Sequence, residues 1–161
     1  MESMAPVTDA WFTLEAALVE VYESLAQDRI SRIAVDDDGQ VVGWIGGISR
    51  YNGNVWELHP LAVRPDHQRQ GIGRALVADF EERVRERGGC TIFVGTDDEK
   101  GQTSLYDVDL YPDVLDHAAR IQNVSSHPFE FYRKVGFVVV GILPDANGPG
   151  KPDIYMAKRV R

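Results

Sequence analysis

Cysteine is nearly absent: the chain of 161 residues has one, Cys90. An intramolecular disulfide is thereby excluded, and a reducing cytoplasm suits the composition. Cys90 opens an apolar run, where a buried thiol is expected. Long hydrophobic runs are missing too. No stretch approaches the roughly 18 apolar residues that a bilayer span needs, and the nearest amino-terminal candidate, Ala16 to Leu25, is broken by Glu20 and Glu23. Neither an export signal nor a membrane partner is expected. Basic residues are also in short supply. Lys and Arg number 17 against 25 Asp and Glu, for a net charge of −8. Such a field repels nucleic-acid phosphates and attracts cations. What is present is the balance of a compact protein, with 43% hydrophobic and 26% charged residues. That length and balance fit one domain, residues 1–161.

Apolar spacing at Leu14, Ala17, Leu18, Val21, Tyr22 and Leu25 predicts an amphipathic helix. Strands are expected over Ile30 to Val35 and Val41 to Ile48, joined by the turn Asp36-Asp37-Asp38-Gly39. A third strand runs from Val55 to Val63 with Pro60 inside it. Proline cannot donate to a ladder, so that strand should bulge there and release backbone amides. A helix from about Gly71 to Arg87 carries Ile72, Leu76, Phe80 and Val84 on one stripe, and Cys90 to Gly95 follows as a buried strand. Strand, helix, strand in succession implies a parallel, right-handed crossover. Helices are expected from Pro112 to Gln122 and from His127 to Val135. Phe137 to Leu143 and Ile154 to Arg159 close the chain as strands around a long Gly/Pro/Asn-rich connection.

Chemistry concentrates in Gln68-Arg69-Gln70-Gly71-Ile72-Gly73-Arg74-Ala75, which opens a helix just after the bulged strand. Glycines let amides approach a phosphate, and the helix amino terminus adds a favourable dipole. Neither the G-x-G-x-x-G nor the P-loop spacing is present. Together with Leu61-Ala62-Val63-Arg64-Pro65, this segment resembles the coenzyme A motif of the GNAT acetyltransferases, and Phe131-Tyr132-Arg133-Lys134-Val135-Gly136-Phe137 resembles their second motif. Four further segments are similar to the aminoglycoside 6′-N-acetyltransferases. They are Trp56 to Leu61, Gly95 to Asp98, His127 to Tyr132, and Ala146-Asn147-Gly148 with Lys151 to Ile154.

The resemblance implies an α+β GNAT fold, a mixed and mostly antiparallel central sheet flanked by helices and splayed at the acetyl-CoA strand. Only ten residues precede Trp11, so either the family's first edge strand is absent or the native chain starts earlier; a homodimer would cover the exposed edge. Acetyl-CoA is the implied co-substrate, without a metal, and a small cationic amine the implied acceptor. Leu61, Ala62, Val63, Gln68, Arg69, Gln70, Gly71, Ile72, Gly73 and Arg74 would bind the coenzyme, the Leu61 and Val63 amides polarising the thioester carbonyl. Such donors contribute about 3 kcal/mol or more each.

An amine must lose its proton before it attacks, which at pH 7 costs about 4.6 kcal/mol for a lysine-like group. Glu57 and His59 lie two apart on one strand and so share a face. The resemblance sets Glu57 against the substrate amine, with His59 as rival base or as a satisfied core imidazole. Tyr132 is the implied proton donor to the departing thiolate, its alternative being a packed helix aromatic like Phe129 and Phe131. Asp97 is expected to contact substrate, as are Asp153 and Trp11, whereas Asp98 and Glu99 read as a solvated acidic turn. Ser125 stands where the second motif has an asparagine, with Asn123 two residues earlier. Competing readings are a GNAT enzyme for polyamine or protein amines, and a non-catalytic acyl-CoA-binding domain.

Overall fold

The structure, a computed structural model, describes residues 13–161. Trp11, and with it the question of a preceding edge strand, lies outside the described residues. The described elements are α1 (Leu14–Glu23), β1 (Arg29–Val35), β2 (Val41–Arg50), β3 (Val55–Val63), α2 (Ile72–Glu86), β4 (Thr91–Asp97), α3 (Val114–Ala119), α4 (Phe129–Lys134), β5 (Val138–Leu143) and β6 (Asp153–Arg159). They fall into two compact units, one reaching to Ile92 with Val160 and Arg161 added, the other Phe93–Arg159.

In the first unit β1, β2 and β3 form an antiparallel meander. Thr13 caps α1 by accepting from the Ala16 amide at 3.1 Å. The apolar stripe of α2 buries Leu76, Val77, Phe80 and Val84, and α2 packs on all three strands. On the other face Trp44 and Ala62 pack with Val21 of α1, and the Trp44 indole donates to Ser31 Oγ at 3.0 Å. After α2, the Cys90 and Thr91 amides both donate to Asn54 O, at 2.9 and 3.3 Å. β4 therefore sets out beside the start of β3, as the predicted crossover requires. Cys90 itself precedes the strand and is only half-buried, not the buried thiol its neighbours suggested.

The second unit holds the rest of β4, α3, α4 and the antiparallel pair β5 and β6, which shifts register between Val139 and Gly141. Two helices are shorter than their sequence pattern. The end of the expected 112–122 helix is drawn into other bonds: Ser104 donates to Gln122 O at 3.0 Å, the Gln122 amide to Ser104 Oγ at 3.0 Å, and Asn123 bridges Thr103. Likewise His127 stays outside α4, its ring engaged on both sides. Phe129 is buried as expected, but Phe131 is only half-buried.

Candidate active site

The Pro60 bulge is present. Ile45 pairs with Leu61 and Gly47 with Leu58, so Gly46 stands opposite both His59 and Pro60. Burial alternates along β3: Trp56 and Leu58 are buried, Glu57 is half-exposed and His59 exposed. Glu57 and His59 thus share one face, and the core reading of His59 does not hold. Beyond the bulge, the Arg64 amide donates to Val42 O at 2.9 Å. Amide direction alternates along a strand, so the Leu61 and Val63 amides turn away from β2. The Val63 carbonyl, on that same side, accepts from Gln68 Nε2 at 3.0 Å. Gln68 is therefore a fastener between strand and loop.

The loop then rises into α2 through Arg69 and Gly71, both at positive φ (60° and 90°), Gly71 being the residue before the first helical turn. No side chain caps this 15-residue helix. Its first amide-to-carbonyl bond is Ala75 to Gly71, at 2.9 Å, so the amides ahead of Ala75 have no partner within the helix. A Cβ at Gly71 would meet nothing within 4 Å. Arg69, Gln70 and Arg74 are exposed around it, Ile72 and Gly73 half-buried. Free amides, a dipole and two guanidinium groups fit the diphosphate of a nucleotide coenzyme.

Glu57 has a partner the sequence did not advertise. Arg50, at the end of β2, meets its Oε2 through Nε at 2.8 Å and Nη2 at 2.6 Å.

In the second unit, Asp97 ends β4 and Asp153 begins β6. Asp97 is exposed, and its Oδ1 accepts from Asn147 Nδ2. Asp153 is half-buried, with a buried Oδ1 that has no hydrogen-bond partner. Burial, with Asp97 adding repulsion, pushes its pKa up to about 6. Tyr132 lies on α4, 8% exposed, edge-on to Phe131 and Phe137. Burial pushes its phenol up, so the hydroxyl stays protonated through the physiological range.

His127 accepts from the Phe129 amide on Nδ1 at 3.1 Å, which leaves Nε2–H to donate to Asp97 O at 2.9 Å. Burial lowers its pKa and keeps the ring neutral. Asn123 holds the same residue, accepting from the His127 amide and donating to its carbonyl, both at 3.1 Å. His127 and Asn147 lay inside the segments that carried the resemblance, yet neither role shows in spacing.

Asp98 corrects the reading of a solvated turn. It is fully buried and accepts from the Gln102 amide (2.8 Å), the Thr103 amide (2.8 Å) and the Thr103 hydroxyl (2.7 Å). Burial opposes its ionisation, but these donors outweigh burial and hold the pKa below the usual carboxylate range. The unfolded chain takes up this proton more readily than the folded one. The stabilisation is therefore complete above the unfolded value of about 3.9 and lost as pH falls through the folded value. Asp98→Ala, which strands three donors, is expected to cost about 2 kcal/mol near neutral pH and less in acid, read by urea unfolding.

Comparison with known proteins places this geometry. The profile described as "Acetyltransferase (GNAT) family" matches residues 3–108. A crystal structure of an aminoglycoside 6′-N-acetyltransferase complexed with coenzyme A superposes with a TM-score of 0.92 at 42% identity, over 99% of this chain and 90% of that one. The aminoglycoside 6′-N-acetyltransferase from Enterococcus faecium gives 0.91 at 41% identity over the same shares. A curated relative from Danio rerio, "Probable N-acetyltransferase 14", is 31% identical over 58 residues, which is 36% of this chain and 21% of that protein. With its α+β architecture, its bulged strand and its bare helix amino terminus, the chain belongs to the acetyltransferase (GNAT) family, whose acetyl donor is acetyl-CoA.

Proposed function

We propose that this chain transfers acetyl from acetyl-CoA to a primary amine of a small cationic substrate, the 6′-amine of an aminoglycoside, by direct attack in a ternary complex. The observation that carries this reading is the likeness to aminoglycoside 6′-N-acetyltransferases along 99% of the chain. The reading treats both units as one catalytic domain and the enzyme as a cytoplasmic homodimer.

Bound at the bulge and the start of α2, acetyl-CoA supplies the activated acyl group. The chain's residues then divide the remaining work. With Gln68 fastening the loop to β3, Arg69, Gln70, Gly71, Ile72, Gly73 and Arg74 hold the diphosphate, and amides at Leu61 and Val63, on either side of Ala62, steady the reacting carbonyl. Glu57 takes the proton of the ammonium, directly or through water, with His59 beside it on β3. Trp11, Asp97 and Asp153 contact the polycation. The Tyr132 hydroxyl, kept protonated by burial, donates to the departing sulfur.

An assay of acetyl-CoA with aminoglycosides, polyamines and peptides tests the substrate class. Acetylation of aminoglycosides at the 6′ position is the expected result, and activity confined to peptides overturns it. Removing the phenol tests the proton donor: Tyr132→Phe should lower kcat about a hundredfold with KM little changed. An unchanged kcat removes Tyr132 from the chemistry.

A further inference from the structure

Asp97 and Asp153 are not equivalent, and the cause lies in the loop between β5 and β6. That loop is fastened to itself. The Asn147 amide donates to Lys151 O at 3.0 Å, the Lys151 amide to Gly148 O at 2.9 Å, and the Gly150 amide to Asp145 Oδ1 at 2.7 Å. It is also tied down elsewhere in its unit, the Asp107 backbone amide donating to Gly150 O at 2.8 Å and the Asp98 backbone amide to Pro152 O at 3.0 Å. Asn147 is therefore held in place when its side chain donates to Asp97. Asp153 has a different setting. Its carboxylate occupies the space a side chain at position 95 would need, since a Cβ on Gly95 would lie 2.8 Å from Oδ2.

Resting on the function proposed above, we infer that Asn147 is a positioning residue: by donating to Asp97 it fixes the anion there, leaving Asp153 as the carboxylate that exchanges a proton for the substrate's ammonium group. The bond holds the Asp97 carboxylate in one orientation, against the side chain of a loop that is itself fixed. The groups acting on Asp153 are Asp97 from β4, the Tyr155 side chain on β6, and the Thr96 and Ile154 backbone. Burial raises the Asp153 pKa most and the negative charge of Asp97 raises it further, whereas the Tyr155 side chain and the two backbone groups, as hydrogen-bond donors, lower it; the net direction is upward. In the free enzyme near neutral pH, Asp153 therefore carries a proton for part of the time. When the ammonium arrives, that proton passes to solvent and the cation takes over as partner of the buried oxygen. Above pH of about 6 the free protein holds two adjacent negative charges, a repulsion that a bound cation relieves.

The experiment compares wild type, Asn147→Asp and Asn147→Leu with an aminoglycoside acceptor between about pH 5 and 8. In wild type, kcat/KM for the amine should fall on the acid side as Asp153 takes up its proton. Asn147→Asp sets a third carboxylate against Asp97 and should move that acid limb to higher pH. Asn147→Leu should raise KM for the amine about five- to tenfold, with kcat and the KM for acetyl-CoA unchanged. Equal losses in both KM values, or an unmoved acid limb in a folded Asn147→Asp protein, overturn the inference. If Asn147→Asp does not fold, the KM-against-kcat split of Asn147→Leu decides. Absence of any amine acetylation by wild type defeats the function proposal instead. Carboxyl carbon NMR then reads the inference by itself: an upward move of the Asp153 midpoint in Asn147→Asp supports it, and a fixed midpoint overturns it.

Discussion

Glutamine in place of Glu57 is expected to lower kcat/KM for the amine by about a hundredfold or more while leaving acetyl-CoA affinity unchanged. Glutamine keeps the size of the side chain and one oxygen acceptor, so strand β3 and the turn of the Leu61 and Val63 amides persist. It cannot take a proton or hold a cation. The ion pair with Arg50 sharpens this expectation. The two side chains are 26% and 47% exposed, a setting in which such pairs contribute at most about 1 kcal/mol. An incoming ammonium can therefore displace the guanidinium, or share the Glu57 carboxylate with it, at little cost, whereas a glutamine amide at position 57 carries no charge to attract either cation. Steady-state kinetics with isothermal calorimetry of coenzyme binding separate the two effects. A variant that keeps wild-type kcat/KM removes Glu57 from the proposed proton path.

Valine in place of Gly46 is expected to destabilise the fold by about 3 kcal/mol, a drop of roughly 6 to 12 °C in Tm for a chain of this size. A Cβ there would lie 2.5 Å from the His59 carbonyl oxygen and 2.9 Å from Pro60 Cδ. The first contact is backbone, which cannot rotate aside. Relief would require β3 to shift, and with it the amides of Leu61 and Val63. Weaker binding of coenzyme A should thus accompany the lower Tm. Gly141→Ala is the control, since nothing lies within 4 Å of the added Cβ and the change should stay within about 0.5 kcal/mol. Calorimetric scans of both variants, with and without coenzyme A, check the pair; a Gly46→Val protein as stable as Gly141→Ala contradicts the packing argument.

Much of the scaffold could be read from residues alone. The bounds of β3 agree with the expected Val55 to Val63, and α2 covers Ile72–Glu86 within the expected 71–87. The bulge followed from one proline. Errors gathered where a segment's bonds go to distant partners. Gln122 left a helical pattern for Ser104, and His127 left another for Asp97. β4 runs on to Asp97 rather than stopping at Gly95. At the candidate site, the spacing placed Glu57 and His59 on one face, but gave no sign of Arg50, Asn147 or the burial of Asp98.

By itself the sequence determined the elements, the break in β3, the glycine-opened start of α2 and the acidic balance. Those features depend on side-chain period, ring closure and backbone sterics within a few residues, and such rules act locally. Only the tertiary structure decided which carboxylate is paired, buried or protonated. Asp97, Asp98 and Asp153 are the same residue type, yet one is bonded by an amide from 50 positions away, one sits among three donors, and one keeps a buried oxygen with no partner. The energy of a charge is set by the solvent it loses and the dipoles it meets, and both are known only once the chain has folded around it.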